Sequence, residues 1–455
     1  MLRAAPLCLS LLLVSPGLLA DCLSGAEMTL FGQVSYAKRQ PALWRPDGKH
    51  PYQKDNFYND WGLHYSNRCW LVENSLETQV SLYALAYQPY RKPKSFEQDR
   101  HRVRGLIDRL SLSWTLSEQL SVAAGKLRAR PGLFYLKSPA NLLAGYYGGF
   151  KASGIHHPEL KPIYSEAFWG LRLTEETPDY VLAFTLSPRL THIAKRYESS
   201  GNWTAAERAN ASERYLLRYT DYRAANHTPS LSIGLGESRS IAVADSFYLT
   251  PQFAINAELA WHSRQQWRHL DSDKARQVQD YQFPASLYHR SSRNGVEAAF
   301  GSHYTTDNFS LLGVEYYFQS EGYSRTAWRQ QTQLIRFLNQ RSGYAPLDRA
   351  FDAWQYLMGA EIDNVANRGQ LQGRHYLHAF ATLRLADRAS LQPYGVINLQ
   401  DNSLAFGIHY NKPLAQLDGK MELYSGIYRA QGNKDSEFGL FGNTTGVYSG
   451  IKYYF

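Results

Sequence analysis

The sequence predicts an all-β protein, a transmembrane antiparallel up-and-down β-barrel of about eighteen strands with an inward-folded loop. Three observations predict it. The last dozen residues alternate strictly: Val447, Ile451, Tyr453 and Phe455 fall on one face of a strand, and Tyr448, Gly450, Lys452 and Tyr454 on the other. Aromatic residues reach 14% of the 455, with 33 tyrosines, yet mean hydropathy is only -0.45. No stretch after the first twenty residues is apolar enough for a membrane-spanning helix. The third observation is the spacing of strand-like segments, in which long and short connections alternate.

Taken in order, the chain opens with a secretory-signal pattern over 1–20: Arg3 supplies the charge, Leu7–Val14 the apolar run, and Pro16 and Gly17 the break before Ala20. Asp21 ahead of Cys22 argues against lipoprotein processing. The single remaining domain is then 21–455. The formal net charge is +9, and loss of Arg3 with the signal takes one positive charge away. That excess suits an anionic solute or lipopolysaccharide, and no basic run resembles a nucleic-acid-binding tail. Of the three cysteines, Cys8 leaves with the signal. Cys22 and Cys69 remain available for one disulfide, with two free thiols as the alternative.

Strands with period-two patterning are read at 28–38, 62–71, 77–87, 107–116, 119–126, 166–173, 180–187, 213–224, 229–237, 239–249, 253–262, 293–303, 309–320, 374–385, 390–400, 403–411, 418–429 and 444–455. From a periplasmic amino terminus, most odd-numbered connections are long and all even-numbered ones are short, as a barrel with short turns on one rim requires. Cys22 and Cys69 then both fall at the short-turn rim. Trp354–Asp363 reads equally as a strand and is placed within the 321–373 loop to keep the parity. Ala327–Gln340 in the same loop carries helix formers, with Leu334, Phe337 and Leu338 on one side, and is expected to fold as a short helix over the barrel mouth.

Alternation also sorts the side chains that face the lumen. Arg109, Arg172, Arg214, Arg218, Arg374 and Arg384 are expected inside, as are Glu258, Glu297 and Glu315 on three successive strands. Basic residues gather on strands four, six and eight, and acids on the next stretch of wall. Such a division would set up a transverse field. The alternative is that these charges pair with one another or with loops and only keep the lumen wet.

The connection 127–165 is the strongest local feature. Read from Gly125, just ahead of it, the run continues through Pro131, Leu142, Leu143, Gly148 and Gly149 and is apolar, aromatic and glycine-rich with no strand period. So apolar a segment is expected to fold into the barrel, with Arg128, Arg130, Lys137, Tyr146 and Tyr147 lining the eyelet. The terminal Phe455 with its alternating strand resembles the closing strand of Gram-negative outer-membrane barrels, which implies recognition by the barrel-assembly machinery. The run Gly125-Lys-Leu127, Pro131, Leu142-Leu143 and Gly148-Gly149 resembles the constricting loop of the OprD-like specific porins. In place of that family's Pro-Lys-Leu-Pro run, this chain has Arg128-Ala-Arg-Pro-Gly132. The resemblance implies passive uptake of small carboxylate-bearing solutes past a basic ladder.

Two rival readings remain. An arginine-lined lumen also suits an export duct for an anionic exopolysaccharide, and a plugged lumen would suit a barrel enzyme or adhesin. Enzyme chemistry finds little support. His156-His157-Pro158-Glu159 has no second ligand cluster, His378 and His409 face no evident nucleophile, and no Gly-x-Ser-x-Gly run occurs. The expectation is a non-enzymatic channel without cofactor or metal, of unspecified oligomeric state.

Overall fold

Inward–outward alternation drives eighteen segments into one closed antiparallel sheet. The computed structural model describes Cys22 and residues 25–45, 55–89, 103–129, 132–143, 155–160, 167–190, 210, 212–265, 268–367, 371–415 and 419–455. The signal pattern over 1–20 lies outside the described residues. The strands are β1 (Glu27–Arg39), β2 (Asp55–Val72), β3 (Leu76–Pro89), β4 (Val103–Thr115), β5 (Leu120–Arg128), β6 (Ala167–Glu176), β7 (Tyr180–Ser187), β8 (Arg214–Asp221), β9 (Ser230–Gly236), β10 (Ser240–Thr250), β11 (Phe253–His262), β12 (Arg268–Leu270), β13 (Tyr288–Arg290), β14 (Gly295–Thr305), β15 (Leu311–Gln319), β16 (His375–Arg384), β17 (Ser390–Asn398), β18 (Leu404–Pro413), β19 (Met421–Gln431) and β20 (Thr444–Tyr454). All but β12 and β13 form an 18-stranded sheet in which each strand pairs with its predecessor. The ring closes where β20 pairs with β1, from Thr29 opposite Tyr454 to Arg39 opposite Thr444.

Every strand expected from the sequence has its counterpart in this ring. Outward residues such as Trp61, Leu110, Leu171, Leu217, Val243 and Ile427 are exposed and form the apolar outer surface. The alternation fails at one informative point. Ser81 of β3 pairs with Arg109 and Leu82 with Ile107, which leaves Asp108 as a bulge residue. The bulge brings Asp108, 4% exposed, to the lumen side next to Arg109. There it accepts from Ser81 Oγ at 3.0 Å and Arg128 Nε at 3.1 Å. At the short-turn rim, Cys22 and Cys69 form a disulfide.

The long connections build a cap with its own core. The β12–β13 hairpin lies between barrel strands β11 and β14, with helix α1 (Ser272–Gln279) inside it. Helices α2 (Arg325–Leu338) and α3 (Ala345–Asn367) follow β15. Their buried residues Val278, Leu287, Leu334 and Met358 pack with Trp44 and Leu440 from two other connections. Helix α2 starts at Ser324, whose side chain accepts from Ala327 N. The segment Trp354–Asp363 is part of α3, not a strand. Phe351, Met358 and Ile362 repeat at helical spacing and meet the cap core.

Candidate functional site

The connection after β5 does not leave the barrel. Its described part, 132–143, lies against the inner wall, and the glutamates that alternation points inward hold it there. Glu258 of β11 accepts from the backbone N–H groups of Leu133 and Ala140, both at 2.8 Å, and from Ser138 Oγ at 2.5 and 2.7 Å. Glu315 of β15 accepts from Tyr135 N at 2.8 Å, Leu136 N at 2.9 Å, His378 Nδ1 at 2.9 Å and His303 Nε2 at 3.2 Å. Glu297 of β14 takes Tyr317 Oη at 3.0 Å and faces Lys137 Nζ at 3.3 Å. These carboxylates are 1–6% exposed. They are therefore loop anchors, the alternative in which the inward charges pair with a loop. The reason is that an irregular segment inside a barrel has unpaired backbone donors, and an ionised carboxylate can accept several at once.

Apolar contacts complete this docking. Phe134 packs with Ala299, Tyr317 and Tyr376. Ala140 and Leu142 pack against Ala242, Ala244 and Ala260, and Leu143 returns to Leu127 and Phe168 beside the point of departure. The far end of the same connection, 155–160, rests on the opposite part of the wall. His156 N donates to Gln33 Oε1 at 2.8 Å, and Lys452 Nζ reaches Glu159 at 2.6 Å. The His156 ring stacks on Tyr448 at 4.6 Å, and His157 meets Phe31, His409 and Tyr424 edge to face or tilted. His156 and His157 thus serve as packing groups on an aromatic wall.

The basic candidates divide by environment. Arg109 donates to Gln79 on the inner face. Arg128 pairs with Asp108. Arg172 donates to the Arg128 carbonyl at 2.9 Å and to Thr185 Oγ1 at 3.3 Å, which ties the arginines of β5 and β6 into one chain. Arg218 is half-buried on the inner face of β8. Arg214 is only 5% exposed and lies within electrostatic reach of Glu237, Arg264 and Arg290. It belongs to the packed loop base and not to an open surface. Arg374 donates through Nε to the Gly322 carbonyl at 2.8 Å, holding the cap connection. Arg384 is exposed at the short-turn rim, outside the lumen path expected for it. Arg130, Tyr146 and Tyr147 lie outside the described residues.

Two arrangements escaped the sequence reading. One is the Asp108 bulge, which only strand pairing reveals. The other is Glu437, in the connection between β19 and β20. Its carboxyl accepts from Gln372 N at 2.7 Å, Tyr376 Oη at 2.6 Å and Asn398 Nδ2 at 2.7 Å, while its own N–H donates to Asp401. Burial, opposed by these hydrogen bonds and reinforced by Asp401, pushes its pKa up to about 7. A carboxyl with a higher pKa when docked than when free binds more protons in the docked state between its ordinary value and about pH 7. Docking of 432–443 therefore weakens as pH rises through that window. Hydrogen exchange in 432–443, corrected for the intrinsic rate, is expected to be faster at about pH 8 than at about pH 5.5, and Glu437→Gln should abolish the difference.

No family model matches this chain, and no curated protein is similar to it. Solved structures do align along nearly its whole length. OccK5 (OpdH) of Pseudomonas aeruginosa is 9% identical with a TM-score of 0.49, over 95% of this chain and 98% of that one. OccAB4 of Acinetobacter baumannii is 8% identical with a TM-score of 0.48, over 94% and 98%. OccD1 (OprD) is 8% identical with a TM-score of 0.46, over 94% and 95%.

Proposed function

We propose that this protein is an outer-membrane channel for passive diffusion of small solutes, with a preference for anionic or carboxylate-bearing ones. The observation that carries the reading is the connection after β5, docked inside a closed eighteen-stranded ring on both sides of the lumen. A ring of this size leaves a space that side chains alone do not fill, and a loop latched across it supplies a constriction. Arg109, Arg128, Arg172 and Arg218 then form the basic side of that constriction. Each contact with a passing carboxylate must be weak, or the solute would not leave.

Purified mature protein in a planar bilayer is expected to give a steady conductance with an anion-selective reversal potential under a salt gradient. Replacing Arg172 and Arg218 together by alanine should lower the anion-to-cation permeability ratio by roughly twofold or more. Unchanged selectivity in that variant would remove both residues from the path, and an electrically silent wild type would remove the channel itself.

A further inference from the structure

One row of directly opposed residues crosses six strands on the inner face. It runs from Gly313 through Phe380, Tyr394, Gly407 and Tyr428 to Gly446, each residue paired directly with the next. The glycines are not incidental. A β-carbon at Gly313 would overlap the Phe380 ring, one at Gly407 the Tyr394 hydroxyl end, and one at Gly446 the Tyr428 ring. Each ring therefore lies down over its neighbour's bare backbone instead of standing away from the wall.

Toward the short-turn rim the pattern repeats as a checkerboard, with Tyr448 over Gly426 and Tyr424 over Gly450. That lower part is covered by His156 and His157. The upper row is open at its middle, around Tyr394, while His378 stacks on Phe380 at 5.1 Å. Tyr394 is 37% exposed, and Phe380 and Tyr428 are half-buried. Tyr135 of the inward connection, 64% exposed, stands on Phe380 with ring centroids 4.4 Å apart. Among the described inward positions of β17–β20 the only formal charges are Glu422 and Lys452, at the foot of the panel. Around Tyr394 the row is bordered by hydrogen-bonding groups, the tyrosine hydroxyls and His156, whose ring lies 4.8 Å from Tyr428, and charge enters at its two ends, with Arg39 near Tyr428 and the His378–Glu315 pair beside Phe380.

A flat aromatic strip edged with hydrogen-bond donors and acceptors matches a ring with C–H faces and a rim of hydroxyls. An alkyl chain has no use for the hydrogen-bonding edge, and an open-chain carboxylate has no use for the flat faces. We propose that the row Phe380–Tyr394–Tyr428, with Tyr135 above it, is a lane for the pyranose ring of a saccharide. The proposal rests on the channel reading and names its solute. In an eighteen-membered ring, strands nine places apart are diametrically opposite, so β17 and β19 face β6 and β8, which carry Arg172 and Arg218. A sugar acid would meet the aromatic lane with its ring and the arginines with its carboxylate.

The test compares D-glucuronate with lactate, which carries the same charge and a hydroxyl but no ring, as blockers of single-channel current. Glucuronate is expected to block at a concentration roughly fivefold lower than lactate. The double variant Tyr394→Ala, Tyr428→Ala should lose that difference, measured against its own unblocked current, and Tyr394→Phe, Tyr428→Phe, which preserves the faces, should retain most of it. Equal blocking by the two acids, stronger blocking by benzoate than by glucuronate, or an unaffected alanine variant would overturn the lane. If the wild type carries no current, the channel reading fails separately. Calorimetric titration of glucuronate into the detergent-solubilised protein then decides the lane: saturable binding lost in the alanine variant supports it, and no binding overturns it.

Discussion

Replacing Glu258 and Glu315 together by glutamine is expected to raise single-channel conductance by about twofold or more and to make the current noisy. Glu258 receives Leu133 N, Ser138 Oγ and Ala140 N, and Glu315 receives Tyr135 N, Leu136 N and two imidazoles. Charge-assisted bonds to a buried carboxylate contribute about 1.5–3 kcal/mol each. A glutamine keeps one acceptor oxygen but turns an amide N–H₂ toward groups that are themselves donors. Two such sites lost at once should loosen 132–143 from the wall, because only the Lys137–Glu297 pair and apolar packing still hold that stretch. The barrel does not depend on these bonds, since its ladder pairs backbone with backbone. Heat-modifiable migration on a gel should therefore stay as in the wild type. A conductance unchanged in both size and noise would show that the glutamates do not position the constriction.

Gly450→Val is expected to abolish assembly of the folded barrel, whereas Gly105→Ala should be silent. Tyr424 of β19 passes over Gly450 of β20, and its hydroxyl donates to the Gly32 carbonyl of β1 at 3.2 Å. One side chain thus links three strands across the seam where the ring closes. A β-carbon at Gly450 would overlap both the Tyr424 ring and the Gly32 carbonyl oxygen. Overpacking typically costs about 1–3 kcal/mol, and here the obstructing atom includes backbone in a paired strand, which cannot step aside. The substitution also strands the buried Tyr424 hydroxyl. At Gly105 a β-carbon meets nothing within 4 Å, so that variant controls for the loss of a glycine as such. The readout is the fraction of heat-modifiable protein after refolding. Normal assembly of Gly450→Val would mean that Tyr424 can leave the seam without consequence.

Much of this molecule was legible before folding was considered, and the reasons are local. A strand at a wall between lipid and water must alternate, so Val447, Ile451 and Tyr453 declare their face without reference to any partner. The same rule pointed Glu258, Glu297, Glu315 and Arg218 inward. It does not reveal Asp108 as an inward residue, because a bulge shifts the phase by one residue and leaves no mark in composition. Helix α2 was visible in its formers and apolar side. Helix α1 and the β12–β13 hairpin were not, since elements of 8 and 3 residues persist through the shared cap core rather than through their own patterns. The segments Tyr424-Ser-Gly-Ile-Tyr428 and Gly446-Val-Tyr-Ser-Gly450 did carry a signal, tyrosine and glycine trading places at inward positions. Its meaning appears only when β19 and β20 are laid side by side in register.

The sequence by itself determined the fold class, the eighteen spanning strands, the rim on which each connection lies and the face of most side chains. These follow from period-two patterning and connection length, which are properties of neighbours along the chain. Tertiary structure alone decided what the inward charges do: which glutamates receive the loop's backbone, which arginines join the Arg128–Arg172 chain, and which aromatic faces stay open. Those outcomes depend on contacts between residues on different strands and loops, such as Arg172 with Arg128, Leu133 with Glu258 or Glu159 with Lys452. No local rule encodes the register that brings them together.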